Sequence, residues 1–104
     1  MLNFIKGETM YYRLENRIPI QIDSFPIIPE NERRVGKDTI GDVNISTVFL
    51  GIDHSYNGGT PVLFETMIFG GENDQYKERY TSWEEAEKGH KRAVEVVKTK
   101  VVII

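Results

Sequence analysis

The clearest pattern lies after Asp42, where apolar and polar positions alternate in short runs separated by glycine-rich breaks. Val43–Ile52 is rich in β-branched and aromatic residues and predicts a strand. Asp53–Thr60 contains Asn57-Gly58-Gly59, which supplies the positive φ of a turn. Pro61–Phe69 predicts a second strand, with proline tolerated at its first position. Gly70 to Asp74 predicts a second turn and Gln75–Thr81 a third strand, so the three form an antiparallel meander. The period then changes from two to three or four. Trp83, Ala86, His90, Ala93, Val94 and Val97 fall on one stripe, which predicts a helix over Ser82–Lys98 packed on one face of the sheet. Its start is well marked: Ser82 followed three residues later by Glu85 is a capping box. Glu84, Glu85 and Glu87 favour the positive helix end, while Lys88, Lys91, Arg92 and Lys98 come later.

Before Asp42 the pattern is irregular. Met10–Arg13 and Ile18–Ile22 predict short extended pieces around a turn at Glu15-Asn16-Arg17. Pro19, Pro26 and Pro29 each remove a backbone donor and disfavour helix at the preceding residue, so Phe25–Pro29 reads as an extended connector. Pro29 suits the first turn of a short helix through Glu30–Arg34. The expected fold is one α+β domain over 1–104: an irregular part at 1–40, then a core at 42–98 of three or four antiparallel strands and one C-terminal helix. Val101–Ile104 would add an edge strand, pack loosely, or make a subunit contact.

Composition narrows the function classes. The chain has 104 residues, no cysteine and a formal net charge of −3. Disulfides and thiolate metal sites are therefore excluded. A mildly acidic balance gives no general attraction to nucleic acid or to anionic membranes. No basic segment followed by a long apolar run marks a signal peptide, and no apolar run approaches the roughly 20 residues of a membrane helix. A soluble cytoplasmic protein is expected, without a cofactor.

Glu65 is the least comfortable residue, because it interrupts a strand that is apolar on both faces. Strand alternation groups it with Leu63, Met67 and Phe69, opposite Leu50 and near Arg79 or Tyr80. It is expected to pair with Arg79 or a tyrosine hydroxyl, or to serve a ligand. Asp53 and His54 end the first long strand, and His54 continues the Val48-Leu50-Ile52 side. If the helix covers that side, His54, Glu65 and His90 converge as a metal-like set, though no local metal spacing supports it. Tyr76, Tyr80 and Trp83 suit core packing or a stacking patch. Arg33-Arg34 with Lys37 reads as a solvated cluster among acids. The Gly-Gly pairs match no phosphate-binding motif, and no nucleophile–base constellation is visible.

Three blocks occur in order: Ser46 to His54 (S-T-V-F-L-G-I-D-H), Pro61 to Gly71 (P-V-L-F-E-T-M-I-F-G-G), and Arg79-Tyr80 with Trp83 to His90 (W-E-E-A-E-K-G-H). Together they resemble a family of small uncharacterised bacteriophage and prophage proteins over roughly residues 33–92, with Asp23–Pro29 departing from the family pattern. The resemblance implies a phage origin and draws interest to Asp53, His54, Glu65, Tyr80, Trp83 and His90, without assigning catalytic residues. The expected function is a phage accessory protein acting by binding, such as an inhibitor of a host defence protein. The alternatives are a small-ligand, nucleotide-binding or metal-assisted enzyme using His54, Glu65 and His90, and a homo-oligomeric structural or regulatory phage protein.

Overall fold

The computed structural model describes residues 9–55 and 58–102, with side chains described as far as Thr99. Among the described residues, six strands and two helices follow in chain order: β1 (Tyr11–Glu15), β2 (Ile18–Ile22), α1 (Glu30–Arg33), β3 (Arg34–Ile40), β4 (Val43–Phe49), β5 (Phe64–Phe69), β6 (Lys77–Tyr80) and α2 (Trp83–Val102). The main sheet is an antiparallel meander ordered β3-β4-β5-β6, and β1-β2 is a separate hairpin. The α+β class with a C-terminal helix on the sheet is as expected. α2 packs against β3, β4, β5 and β6.

The core lies between α2 and one face of the meander. Ile45 and Phe49 of β4 and Phe64 and Ile68 of β5 are buried there under Trp83, Ala86, Ala93 and Val97 of α2. The expected stripe is therefore the buried face of α2, with Val94 half-buried beside it. The Glu85 amide donates to Ser82 Oγ at 3.1 Å, so Ser82 caps the helix. The Glu85 carboxylate accepts from the Thr81 amide and hydroxyl, one residue before the position the capping box predicts.

Three expectations need correction. Residues 34–40 are not irregular: they form the edge strand β3, so the core begins before residue 42. The strand expected over residues 43–52 ends at Phe49, because Gly51 takes φ +80 and turns the chain toward the hairpin. The helix runs beyond Lys98, through Val102, so the tail does not start as an edge strand; Ile103 and Ile104 lie outside the described residues. The hairpin docks where β4 ends. The Tyr12 amide donates to Gly51 O at 2.9 Å and the Asp53 amide to Met10 O at 3.0 Å. Among the described residues, no helix is long and apolar enough to cross a membrane.

Candidate functional site

Two features concentrate polar chemistry and open surface. The first is a hydrogen-bonded chain beneath α2. Strand alternation puts Thr47 in the buried phase of β4, between Ile45 and Phe49, and Thr66 in the buried phase of β5, between Phe64 and Ile68. The register sets Thr47 opposite Thr66, and their hydroxyls are 2.5 Å apart. Above them, His90 Nδ1 is 2.7 Å from Thr47 Oγ1, and His90 Nε2 is 2.7 Å from Asp38 Oδ2 on β3. The ionised Asp38 carboxylate only accepts, so Nε2 carries a proton; in the neutral ring Nδ1 then accepts the Thr47 hydroxyl proton. On the other side, Tyr80 Oη donates to Thr66 Oγ1 at 2.9 Å and lies 3.1 Å from Glu78 Oε1. Glu78 is also held by Tyr76 Oη at 3.0 Å and by Arg92 Nη2 at 3.1 Å. The chain thus spans all four strands from Asp38 to Glu78. Burial pushes the Tyr80 phenol up to about 12, so it stays protonated and donating.

Two glycines make room for this chain. A side chain at Gly36 would meet the His90 ring at 2.9 Å, and one at Gly89 would overlap the Tyr80 phenol. Asp38, His90 and Thr47 stand in the order of a carboxylate–imidazole–hydroxyl triad, but Thr47 is 0% exposed. A nucleophile needs a substrate within reach of its oxygen, and this hydroxyl faces only Thr66 and the imidazole. The chain serves the fold: it fixes how α2 sits on the sheet.

The second feature is a groove of about 540 Å³ between the hairpin and the start of α2. Leu14, Ile22, Pro26 and Ile28 give it apolar walls, Trp83 closes its base, and Arg13, Arg17 and Glu32 line its rim. The Arg17 guanidinium stands 4.8 Å from the centre of the Trp83 ring. Trp83 itself is anchored edge-on to Phe64 and is 7% exposed, and its indole N–H is buried without an acceptor. A second cavity of about 320 Å³ borders the same connector and is lined by Phe25, Ile27, Arg33 and Leu50 among others. Between the two stands Ile27, which is 95% exposed, with Phe25 56% exposed beside it.

The expected site residues do not meet. Glu65 pairs with Arg79, its cross-strand neighbour, at 3.0 Å. It sits opposite Val48 rather than Leu50. Its neighbours Phe64 and Thr66 face α2, so Glu65 faces away from it, on the opposite side of the sheet from His90. The convergence of His54, Glu65 and His90 is therefore overturned: the helix covers the Ile45, Thr47 and Phe49 phase of β4 and the Phe64, Thr66 and Ile68 phase of β5. Among the described residues, no three His, Asp or Glu side chains are placed to hold a metal ion. His54 is half-buried and its amide donates to Val62 O at 3.0 Å.

Asp53 organises the loop between β4 and β5, accepting from the Ser55 amide at 2.8 Å, the Ser55 hydroxyl at 3.0 Å and the Val62 amide at 2.9 Å. Burial pushes its carboxyl up, but these donors outweigh burial and hold it below the ordinary carboxylate value. Tyr80 and Trp83 belong to the core, as core packing predicts, whereas Tyr76 is more exposed. Sequence reasoning missed Asp38, Thr47, Thr66 and Arg17. The signal for the two threonines was their position, each midway between large apolar residues in one phase of its strand. No family model, curated protein or solved structure matches the chain.

Proposed function

We propose that the protein acts by binding another protein through the connector at residues 25–28 and the groove beside it. In this reading it is a phage accessory protein whose partner is a host protein, and the effect is inhibition of host defence of the anti-CRISPR type or a related one. The observation that carries the binding reading is Ile27, 95% exposed between two cavities on a segment stiffened by Pro26 and Pro29. A stiff apolar projection loses little conformational freedom when it enters a partner's pocket, which favours affinity. The phage part rests on the resemblance of residues 33–92. The enzyme reading loses its support, since His90 and Glu65 lie on opposite faces of the sheet and Thr47 is sealed.

The test is phage plating on a bacterium that carries a nuclease-based defence system and expresses this chain. Wild type and Glu65→Gln are expected to restore plating, while Ile27→Asp and Phe25→Asp abolish it without altering the circular dichroism spectrum. Restored plating by Ile27→Asp overturns the surface assignment. No restoration by wild type across several defence systems overturns the inhibitory role.

A further inference from the structure

The turn that joins β1 to β2 holds two consecutive residues, Asn16 and Arg17, in the left-handed region, at φ +52 and +69. A two-residue hairpin loop of this kind favours Asn followed by Gly. Arginine gains nothing from that backbone, and a residue held in a disfavoured conformation points to a use for its side chain. Here the use is visible: the left-handed turn aims the guanidinium back across the groove to the Trp83 ring. Among the described residues no carboxylate pairs with Arg17, which stands on the Trp83 ring. Arg13 is partly committed to Glu15 at 3.4 Å, and Glu32 lines the rim as well, so the cationic end of the groove is the turn.

Resting on the binding reading above, we propose that the groove takes an acidic–aliphatic segment of the partner protein. One carboxylate seats on the Arg17 guanidinium in a charge-assisted pair, and an adjacent aliphatic side chain covers Ile22 and Ile28. The planar fork of arginine suits a carboxylate better than a lysine ammonium would. The walls supply apolar area but little specificity, and Arg17 supplies the choice of charge.

Trp83 is the chain's single tryptophan and lines this groove, so its fluorescence responds to a change there. The purified full chain is titrated with the acetylated, amidated peptide Asp-Leu-Ile-Asp-Leu-Glu and with its counterpart Lys-Leu-Ile-Lys-Leu-Lys. The expected result is a saturable emission change with the acidic peptide at about tenfold lower concentration than with the basic one. Arg17→Gly suits the left-handed turn and keeps the hairpin, and it is expected to weaken the acidic peptide about tenfold. Arg17→Gln, which keeps a long polar side chain, is expected to do the same. Equal response to both peptides, no response up to millimolar peptide, or indifference to both substitutions overturns the proposal. So does an emission change that tracks protein concentration alone, which would make a second copy the occupant. The two readings fail separately. If Ile27→Asp abolishes plating but the acidic peptide does not bind, the groove chemistry is wrong and the binding function stands. If the peptide binds through Arg17 but Ile27→Asp leaves plating intact, the groove chemistry stands and the assignment of binding to the Ile27 connector falls; if wild type restores no plating, the inhibitory role falls while the groove chemistry stands.

Discussion

Gly89→Ala offers a sharp test of the packing between α2 and β6. In an ordinary helix interior this substitution stabilises by roughly 1 kcal/mol, since alanine is the better helix former. Gly89 lies in α2 and is buried against Tyr80, whose phenol occupies the space a methyl group would need. The backbone of a packed helix cannot move away without lifting Ala86 and Ala93, which are buried on the same face. Tyr80 must therefore swing out. It then gives up the hydrogen bond that its one hydroxyl proton makes to Thr66, at about 1 kcal/mol, and forced overpacking adds about 1–3 kcal/mol. Against the helix-propensity gain of about 1 kcal/mol, the net expectation is a loss of about 1–3 kcal/mol. For a chain of this length that lowers Tm by about 5–20 °C. The assay is thermal and urea unfolding of four proteins: wild type, Gly89→Ala, Tyr80→Ala and the double variant. Once Tyr80→Ala has cleared the space, adding Gly89→Ala is expected to stabilise, so the pair is strongly non-additive. A Gly89→Ala protein that melts at or above the wild-type temperature refutes the reasoning.

Three further outcomes follow from the polar contacts. Asp53→Asn removes a carboxylate that serves two backbone amides and is expected to cost about 2 kcal/mol at neutral pH. Because folding lowers the Asp53 carboxyl below its ordinary value, its contribution is complete above the unfolded value of about 3.8 and is lost as pH falls through the folded value. The stability gap between wild type and Asp53→Asn should therefore close in acid, and a gap unchanged from neutral pH to pH 2 would contradict it. Thr47→Val leaves His90 Nδ1 buried with no donor, at about 1–3 kcal/mol in chemical unfolding; Thr47→Val with Thr66→Val should cost less than the two separate losses together. Glu65→Gln weakens a partly exposed pair with Arg79 and should cost under about 1 kcal/mol, whereas a loss of several kcal/mol would mean a buried role that the pairing does not show.

The parts of the fold that were legible in the sequence are those where local and tertiary demands agree. α2 announced itself through Ser82, Glu85 and a stripe of small and apolar residues, and Asn16 with its neighbours marked a turn that does join two short strands. β3 was hidden because its helix-facing residues are Gly36, Asp38 and Ile40, a sequence that reads as a loop. Those identities are set by His90: the ring needs the space left at Gly36 and the carboxylate of Asp38. Likewise, β5 is apolar on both faces, so its alternation alone could not say which phase the helix covers. The decision lay in a long-range fact, the meeting of two threonine hydroxyls with a histidine from a helix more than twenty residues later. Arg17 was invisible for the same reason, since its partner Trp83 lies across the fold.

The separation of these features along α2 bears on how the protein works. Trp83 opens the helix and walls the groove, and His90 two turns later is fixed between two strands by hydrogen bonds at both ring nitrogens. An apolar stripe alone would let a helix slide or rotate on a sheet at small cost, because dispersion contacts are individually weak and interchangeable. Directional hydrogen bonds at His90 do not allow that, and the Ser82 cap holds the helix start. Trp83 is thus held in position from both sides along the chain, and from below by Phe64. The opposite wall is the hairpin, tied to the core by the Tyr12–Gly51 and Asp53–Met10 backbone bonds and the Tyr11–Ile52 bridge. One wall is locked and the other is tethered, so the groove is formed before anything enters it, and little ordering remains as a cost of occupying it.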